Sequence, residues 1–427
     1  MKNESQNYCK GQAVIIITIF FLFASLIIIL GASSIALKES KIVNNLAFSQ
    51  KSYFLAEGGV EDLTYRILNA KHYDPNENLI LEGFSTNTIV SGEESDKEII
   101  STANVLNLIR KVKTSLTNGS SVSFHYGVQA GDGGFVLENT SSISGNVYSN
   151  GPIQGAGSNL IRGDVVSAAA SGSILGVHAT SSAYSHTISN SLIDKDAYYQ
   201  TISGTIVNGV LHPNSPDQPL RYMPISDDII DNWEAVATST IINSPCPYVI
   251  DDDITLGPVK IACDMEIKGK PTITLAGPVW VVGNITAKNS ATIRLSSSLG
   301  KAGVAIIADN PSNRLTSSKI DFEESVQFQN SGTEGSYILA VSQNNSSENS
   351  GSERAIAVQN SVSGELLVYS GHGEILLQNS VDLREVTGYK IHLQNSAQVI
   401  YKTGLASLLF SSGPSGGYSI IDWEEVQ

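Results

Sequence analysis

The sequence predicts an α+β protein in which one long N-terminal helix, transmembrane first and amphipathic afterwards, precedes a mostly β body. Three observations lead to this prediction. An uncharged apolar run covers residues 11–37, a helical stripe follows it, and short strand-like runs alternate with Gly, Ser and Asn over the remainder. For the body we expect a small antiparallel sheet and a β-solenoid, or β-helix-like, region.

The apolar run predicts a membrane-spanning helix over about residues 13–35. No charged residue lies between Lys10 and Lys38, and a helix needs about 20 apolar residues to cross a bilayer core. The run exceeds the apolar region of about 7–15 residues that is usual in a cleaved signal peptide. Lys2, Lys10 and the α-amino group favour a cytoplasmic N-terminus, which places the body outside the cytoplasmic membrane after a single pass.

The helix is expected to continue beyond the membrane to residue 68. Apolar and small residues recur there at steps of three and four: Ile42, Leu46, Ser49, Tyr53, Ala56, Val60, Leu63 and Ile67. Such a stripe is typical of an amphipathic helix with one buried side. A simple membrane anchor needs no such continuation.

Two segments carry a resemblance to a known family. They are Lys10-Gly11-Gln12-Ala13 before the apolar run, and Tyr53-Phe54-Leu55-Ala56-Glu57-Gly58-Gly59-Val60-Glu61 after it. Over roughly residues 8–68 the chain resembles the N-terminal domain of PilX-type minor pilins, which act in type IV pilus assembly. Ile16 stands where major pilins carry Glu, and this favours a minor subunit.

The resemblance implies a leader of residues 1–11, which a prepilin peptidase would remove between Gly11 and Gln12. It implies a pilin-like helix over residues 12–68 whose partners are the membrane, other pilins and the pilus assembly machinery. It also implies a non-enzymatic role in assembly or adhesion, at the cell surface or in the pilus. The stripe and the resemblance together give these helix-packing residues: Leu46, Tyr53, Ala56, Glu57, Gly58, Val60 and Leu63.

The body is divided into three regions by its composition. Residues 69–130 hold strand-like runs and an Asn118-Gly119 turn signal, and we expect a small antiparallel sheet packed on the helix. Residues 131–245 form a Gly-, Asn- and Ser-rich β region. We expect a helical insertion there, with short helices near 194–200 and 227–238 and with Trp233 closing one end of the solenoid core.

Residues 246–427 contain near-copies of one tripeptide, and they predict a solenoid. The copies are Lys288-Asn289-Ser290, Gln329-Asn330-Ser331, Gln359-Asn360-Ser361, Gln378-Asn379-Ser380 and Gln394-Asn395-Ser396. The last two spacings are 19 and 16 residues, and the earlier ones, 41 and 30, would each correspond to about two coils with an inserted loop. Asn suits such turns because it tolerates left-handed backbone angles. Hairpin turns in a sandwich are the alternative.

Cys246 and Cys263 enclose 16 residues on the outer side of the membrane. A disulfide is favoured there, with two buried free thiols as the alternative. Closing a loop of this size would contribute about 3 kcal/mol in the chain-entropy model.

Composition and motifs limit the function classes. The net charge of −15 argues against nucleic acid as a partner. Asp251-Asp252-Asp253 lacks the ligand spacing of a calcium loop and is expected to be a solvated charge run, so no metal or cofactor is predicted. The sequence has no metalloprotease His pair and no serine-hydrolase elbow in a suitable context. A membrane-tethered β-helix enzyme acting on polysaccharide and a self-assembling solenoid scaffold remain the alternatives.

Overall fold

The computed structural model describes residues 8–68, 73–81, 83–92, 96–118, 124–402, 405, 408 and 418–426. It confirms the α+β class, with one long helix, a small antiparallel sheet and a large body of parallel strands. The chain forms two compact units. The first is built from described parts of Met1–Arg66, His72–Thr117 and Ile420–Gln427, and the second from Ile67–Lys71 and Asn118–Ser419.

In the first unit, helix α1 (Tyr8–Leu68) packs on a five-stranded sheet. The strands are β1 (Asn76–Leu81), β2 (Phe84–Gly92), β3 (Asp96–Val105), β4 (Leu108–Asn118) and, beside β4, the C-terminal strand Tyr418–Val426. The pairs from β1 to β4 are antiparallel. The turn between β3 and β4 is Leu106-Asn107, both at positive φ, which suits a two-residue hairpin. The Asn118-Gly119 signal falls at the end of β4, and residues 119–123 lie outside the described residues.

The second unit is a parallel β-solenoid made of two stretches of chain. The N-terminal arm, residues 128–213, contains β5 (Val128–Glu138), β6 (Ser142–Ser144), β7 (Val147–Ser149), β8 (Ile153–Ala156), β9 (Leu160–Arg162), β10 (Val165–Ser167), β11 (Ser173–Leu175), β12 (His178–Ala179), β13 (Ala183–Ser189), β14 (Leu192–Ile193), β15 (Ala197–Ser203), β16 (Ile206–Val207) and β17 (Leu211–Pro213).

The C-terminal arm, residues 241–400, contains β18 (Ile241–Ile242), β19 (Tyr248–Ile250), β20 (Ile254–Leu256), β21 (Val259–Ile261), β22 (Met265–Ile267), β23 (Thr272–Leu275), β24 (Val279–Val281), β25 (Ile285–Ala287), β26 (Thr292–Leu295), β27 (Val304–Ala308), β28 (Ile320–Phe322), β29 (Gln327–Gln329), β30 (Ile338–Ser342), β31 (Arg354–Gln359), β32 (Ser363–Gly364), β33 (Leu366–Gln378), β34 (Asp382–Leu383), β35 (Glu385–Gln394) and β36 (Gln398–Ile400). A 3-10 turn covers Ser297–Leu299.

Each coil passes over three faces. Face 1 contains β18, β21, β24, β27, β30, β7, β10, β17 and the first parts of β33, β35, β5, β13 and β15. Face 2 contains β19, β22, β25, β28, β31, β8, β11 and the second parts of the same long strands. Face 3 is a separate sheet of 12 strands that begins with β20 and ends with β16.

The two arms share one core. The last long strand of the C-terminal arm, β35, pairs in parallel with the first strand of the N-terminal arm, β5, and Val386 lies opposite Val128. We call this contact the seam. One buried column on face 1 crosses it without a break: Val259, Val279, Ile306, Ala340, Val368, Val386, Val128, Val147, Val165, Ala183 and Ala197. Its uniform β-branched and small residues suit stacked parallel strands that are buried on this side.

The corner between faces 2 and 3 is built from pairs of residues at positive φ. The pairs are Asn289-Ser290, Glu324-Ser325, Asn360-Ser361, Asn379-Ser380, Asn395-Ser396 and Asn139-Thr140. Each second residue of the first five pairs donates its backbone N–H to the first residue of the next pair, at 2.8–3.0 Å. The last contact, from Ser396 to Asn139, crosses the seam.

One predicted repeat was wrong. Gln329-Asn330-Ser331 lies at the end of the face 3 strand β29, whose last residue is Gln329, and Glu324-Ser325 occupies the corner instead. The spacings from Asn289 to Glu324 and on to Asn360 are therefore 35 and 36 residues, one coil each. The additional length lies in loops 309–319 and 343–353, between faces 1 and 2, and in loops 296–303 and 330–337, between faces 3 and 1. The tripeptide motif did not reveal this corner, because the left-handed backbone there accepts Glu at the position where the motif has Asn.

Residues 214–240 return the chain from the end of one arm to the start of the other. They contain helix α2 (Asp227–Ala237), which agrees with the predicted helix near 227–238. Two other expectations for residues 131–245 were wrong. Residues 194–200 contribute to β15 instead of a helix, because Ala197 and Tyr199 enter the solenoid core. Trp233 does not close the solenoid end, since it packs on the outer side of face 1 with Ile307, Leu339 and Tyr369.

The structure also divides the chain at different points from those expected. The small sheet takes its fifth strand from the C-terminus, which we had assigned to the solenoid-like region 246–427. Residues 128–130, assigned to the small sheet, begin the solenoid. The regions 131–245 and 246–427 are not separate bodies, because the seam joins them.

The stacked corner residues also bond through their side chains, and Asn379 tests the strain at this corner. Its side chain donates to Asn360 at 2.9 Å and accepts from Asn395 at 3.2 Å. Asn379→Ala and Asn379→Gly both remove these bonds, but only Ala keeps a Cβ at φ 60°. We expect the Ala variant to be less stable than the Gly variant by about 1 kcal/mol, as measured by urea denaturation. Equal stability of the two variants would contradict a strained corner.

Candidate functional site

Helix α1 has two different parts. The described side chains from Val14 to Leu37 are almost all exposed although the segment carries no charge. Within the described chain, the helix Val14–Ile67 is the one that is long and apolar enough to cross a membrane. The predicted processing residues Gly11 and Gln12 lie near the start of α1, which begins at Tyr8.

The second part of α1 buries one side against the sheet of its own unit. Of the predicted packing residues, Ala56, Val60 and Leu63 are buried, at 0–1% exposure. Tyr53 and Glu57 are half-buried, and the Tyr53 hydroxyl donates to Glu57 at 3.4 Å. Partial desolvation and the Glu57 carboxylate raise the pKa of Tyr53.

The packing stripe begins later than the sequence indicated. Leu46 is 57% exposed and Ile42 is 65% exposed, and Val43 beside them is 63% exposed. Leu46 therefore does not pack on the sheet of its own unit, and its assignment as a helix-packing residue stays a prediction. Among the described residues of α1, the first buried one is Ser52, which lies beside the predicted stripe and whose hydroxyl donates to the Ala103 carbonyl of β3 at 2.9 Å. Periodicity could not find this boundary, because it does not show where the sheet beneath the helix ends.

Gly59 is the point of closest approach between helix and sheet, and the sequence prediction missed it in favour of Gly58. A Cβ at Gly59 would lie 2.4 Å from Ser101 Oγ, 2.5 Å from Thr88 Oγ1 and 3.0 Å from Thr86 Cγ2. At Gly58 the nearest atom would be Leu81 Cδ1, at 3.6 Å. Three short hydroxyl side chains from β2 and β3 thus form the floor on which the helix rests.

These two adjacent glycines provide a matched test. Gly58→Ala should stabilise the protein by up to about 1 kcal/mol, because Ala has the higher helix propensity and finds ordinary space there. Gly59→Ala should be destabilising, because its Cβ meets three side-chain atoms at once and separates the helix from the sheet. Thermal melting followed by circular dichroism measures both changes. A Gly59→Ala variant as stable as Gly58→Ala would contradict the close contact.

Cys246 and Cys263 form a disulfide with a Cα–Cα distance of 5.8 Å. It ties the segment before β19 to the one after β21, so it joins two successive coils. Asp251, Asp252 and Asp253 are exposed, and Asp253 accepts the Thr272 backbone N–H at 2.7 Å. Among the described residues, no cluster of His, Cys, Asp or Glu has the arrangement of a metal site.

A buried carboxyl pair fixes α2 to the solenoid, and nothing in the sequence indicated it. Asp309 is fully buried and accepts hydrogen bonds from Arg314 Nε at 2.8 Å and Nη2 at 2.7 Å. Glu234 of α2 is 6% exposed beside it. Burial, followed by the negative charge of Asp309, raises the pKa of Glu234 to about 8. Glu234 is therefore protonated at neutral pH, as a buried carboxyl beside a second one must be.

This carboxyl group predicts a pH dependence of stability. Below pH 4.5, the ordinary pKa of a glutamate side chain, Glu234 is protonated in both the folded and the unfolded chain. Between there and about pH 8, only the unfolded chain releases this proton, so its contribution to stability is lost progressively as the pH rises. Glu234→Gln removes that loss. We therefore expect the free energy of unfolding of the variant, measured by urea denaturation, to rise relative to that of the wild type between pH 5 and about pH 8. If the free energies of unfolding of the two proteins changed equally with pH, the raised pKa of Glu234 would be contradicted.

Comparison with known proteins gives little similarity. No protein-family model matches the sequence, and no curated protein matches it. The structure of the competence-associated pilin ComZ from Thermus thermophilus aligns with 89% of this chain and 97% of its own, at 9% identity and a TM-score of 0.34. An ice binding protein from an Antarctic bacterium of the Flavobacteriaceae aligns with 65% of this chain and 82% of its own, at 10% identity and a TM-score of 0.14. Both scores are too low to assign a function.

Proposed function

We propose that this chain is a non-enzymatic, pilin-like surface protein, held in the cytoplasmic membrane by α1 and incorporated as a minor component into a type IV pilus or related filament. Its role would be in pilus assembly or adhesion. The N-terminus would be cytoplasmic and the body extracytoplasmic. The resemblance of residues 8–68 to PilX-type minor pilins supports this proposal at the level of sequence.

The continuity of α1 carries the proposal. One unbroken helix contains an uncharged exposed segment and then a segment packed on an antiparallel sheet. Between them lie Ile42, Val43 and Leu46, which are apolar, more than half exposed and beyond the charged residues Lys38 and Lys41. A helix that only anchored an enzyme would have no reason to expose apolar side chains outside the lipid. Helices of neighbouring pilins would cover them.

The non-enzymatic assignment is supported by the position of the buried carboxyl groups. Glu234 of α2 and Asp309 of the solenoid are both buried where the helix packs on face 1, and Arg314 is bound to Asp309. A substrate could not reach them without displacing the helix. Their arrangement supports a structural role.

Filament incorporation is tested at the exposed stripe. Leu46→Glu leaves the contacts of the body intact but places a carboxylate where a neighbouring helix would bury it, which is costly for an unpaired charge. Asn44→Glu is the matched control, since position 44 is exposed on the opposite side of the same helix turn. We expect Leu46→Glu to remain in membranes and to be lost from sheared filaments at least tenfold, with Asn44→Glu unaffected. Wild type that never enters sheared filaments, with unchanged piliation after gene deletion, would refute the proposal.

Processing is tested separately. A prepilin peptidase should cleave after Gly11, so the mature protein should begin at Gln12, and replacing Gly11 by a bulky residue should block the cleavage. Intact-mass measurement of the membrane-extracted protein checks this. A mass that still includes residues 1–11, in cells with active prepilin peptidase, would contradict it.

A further inference from the structure

Face 3 of the C-terminal arm carries an open groove of about 610 Å³. It is bordered by Ser296-Ser297 and Asn330-Ser331-Gly332, at the start of loops 296–303 and 330–337, which contact each other through Ser331 and Gly300. Its floor is one row of outward side chains on successive coils. Thr274 lies opposite Arg294, Arg294 lies opposite Gln329, and Glu365 follows on the next coil. With neighbouring strands about 4.8 Å apart, these four positions extend over about 14 Å.

Arg294 is the one cationic side chain among the residues that line the groove. Arg294 is exposed and donates from Nε to Thr274 Oγ1 at 3.0 Å, and it forms no salt bridge with any residue that the structure describes. Glu365, the carboxylate at the other end, is neutralised by Lys402 at 2.7 Å and Arg384 at 3.3 Å. The free edge of the Arg294 guanidinium is therefore available to a ligand carboxylate, for which its two parallel N–H groups are suited.

The lining argues against a peptide ligand. The floor strands β23, β26, β29 and β32 already pair with one another, so they offer no free edge to an added strand. The apolar side chains in the lining, Leu295 and Phe328, are 3% and 2% exposed and provide no pocket for an apolar anchor. The accessible groups are hydroxyls and amides, from Ser296, Ser297, Gln329 and Asn330, which match sugar hydroxyl groups.

We propose that this groove binds a linear, carboxylate-bearing oligosaccharide, with a carboxylate on Arg294 and hydroxyl groups on Thr274, Gln329 and Asn330. The groove runs across the coils, so successive sugars would meet successive coils. This inference rests on the proposed function only in placing the groove outside the cell, where such polymers occur.

The test uses the full chain in detergent micelles and isothermal titration with oligogalacturonate. Arg294→Gln should weaken binding by about tenfold, the value of one charge-assisted contact. Arg162→Gln is the matched control, since Arg162 is also exposed on face 3, in the other arm and outside the groove. It should change the affinity less than twofold. Neutral maltooligosaccharide and polyglutamate should both bind at least tenfold more weakly than oligogalacturonate.

Three results would overturn the inference: no binding of oligogalacturonate, an equal loss with Arg294→Gln and Arg162→Gln, or equal binding of polyglutamate. The second would indicate general attraction of anions, and the third an acidic peptide as the ligand class. None of them depends on filament incorporation, which the Leu46 experiment measures independently. Unchanged melting temperatures of both arginine variants exclude misfolding as the cause of a loss.

Discussion

The organisation of the second unit depends on the parallel pairing of β35 with β5 at the seam. Because Val386 stacks on Val128, the chain enters and leaves the solenoid at neighbouring coils. The entering and leaving segments then bind each other, with Phe124 N–H donating to the Leu405 carbonyl at 3.2 Å and the Tyr401 hydroxyl to the Phe124 carbonyl at 2.8 Å. Adjacent entry and exit points are what allow this body to be inserted between β4 and the C-terminal strand of the small sheet.

The seam in turn requires the return segment 214–240. The N-terminal arm extends from the seam in one direction and the C-terminal arm in the other, so the chain must pass back along the outside of the solenoid. Hydrogen bonds attach this segment to the solenoid, including Asn150 to the Arg221 carbonyl at 2.8 Å. Helix α2 then covers the outer side of face 1, where Trp233, Ile307 and Leu339 form a second hydrophobic core. Glu234 and the ion pair between the buried Asp309 and the partly exposed Arg314 lie at that contact. Removing Arg314 would leave the buried charge of Asp309 without its partner.

Local sequence patterns predicted the helix and the strands, whereas contacts between residues distant in the sequence determine how these elements are arranged. The extent of α1 and the solenoid texture are visible because each depends on a short period in the sequence. The seam is not visible in the sequence, since no local signal shows that the Asn139-Thr140 corner stacks on the Asn395-Ser396 corner. Leu46 and Gly59 show the same limit in the helix. A period identifies the side that packs, but the length of the sheet beneath it decides that Leu46 is exposed, and the small side chains of Thr86, Thr88 and Ser101 select Gly59 as the contact.

The seam also has a consequence for the order of folding. Strand β5 is synthesised long before β35, so the first coil of the N-terminal arm has an unpaired parallel edge while more than half of the body is still being made. Contacts between segments so distant in the chain form slowly, since the intervening loop must be closed first. Unpaired strand edges promote aggregation in this interval. The early arm is therefore the part of the body most prone to aggregation until its C-terminal partner strand has been made.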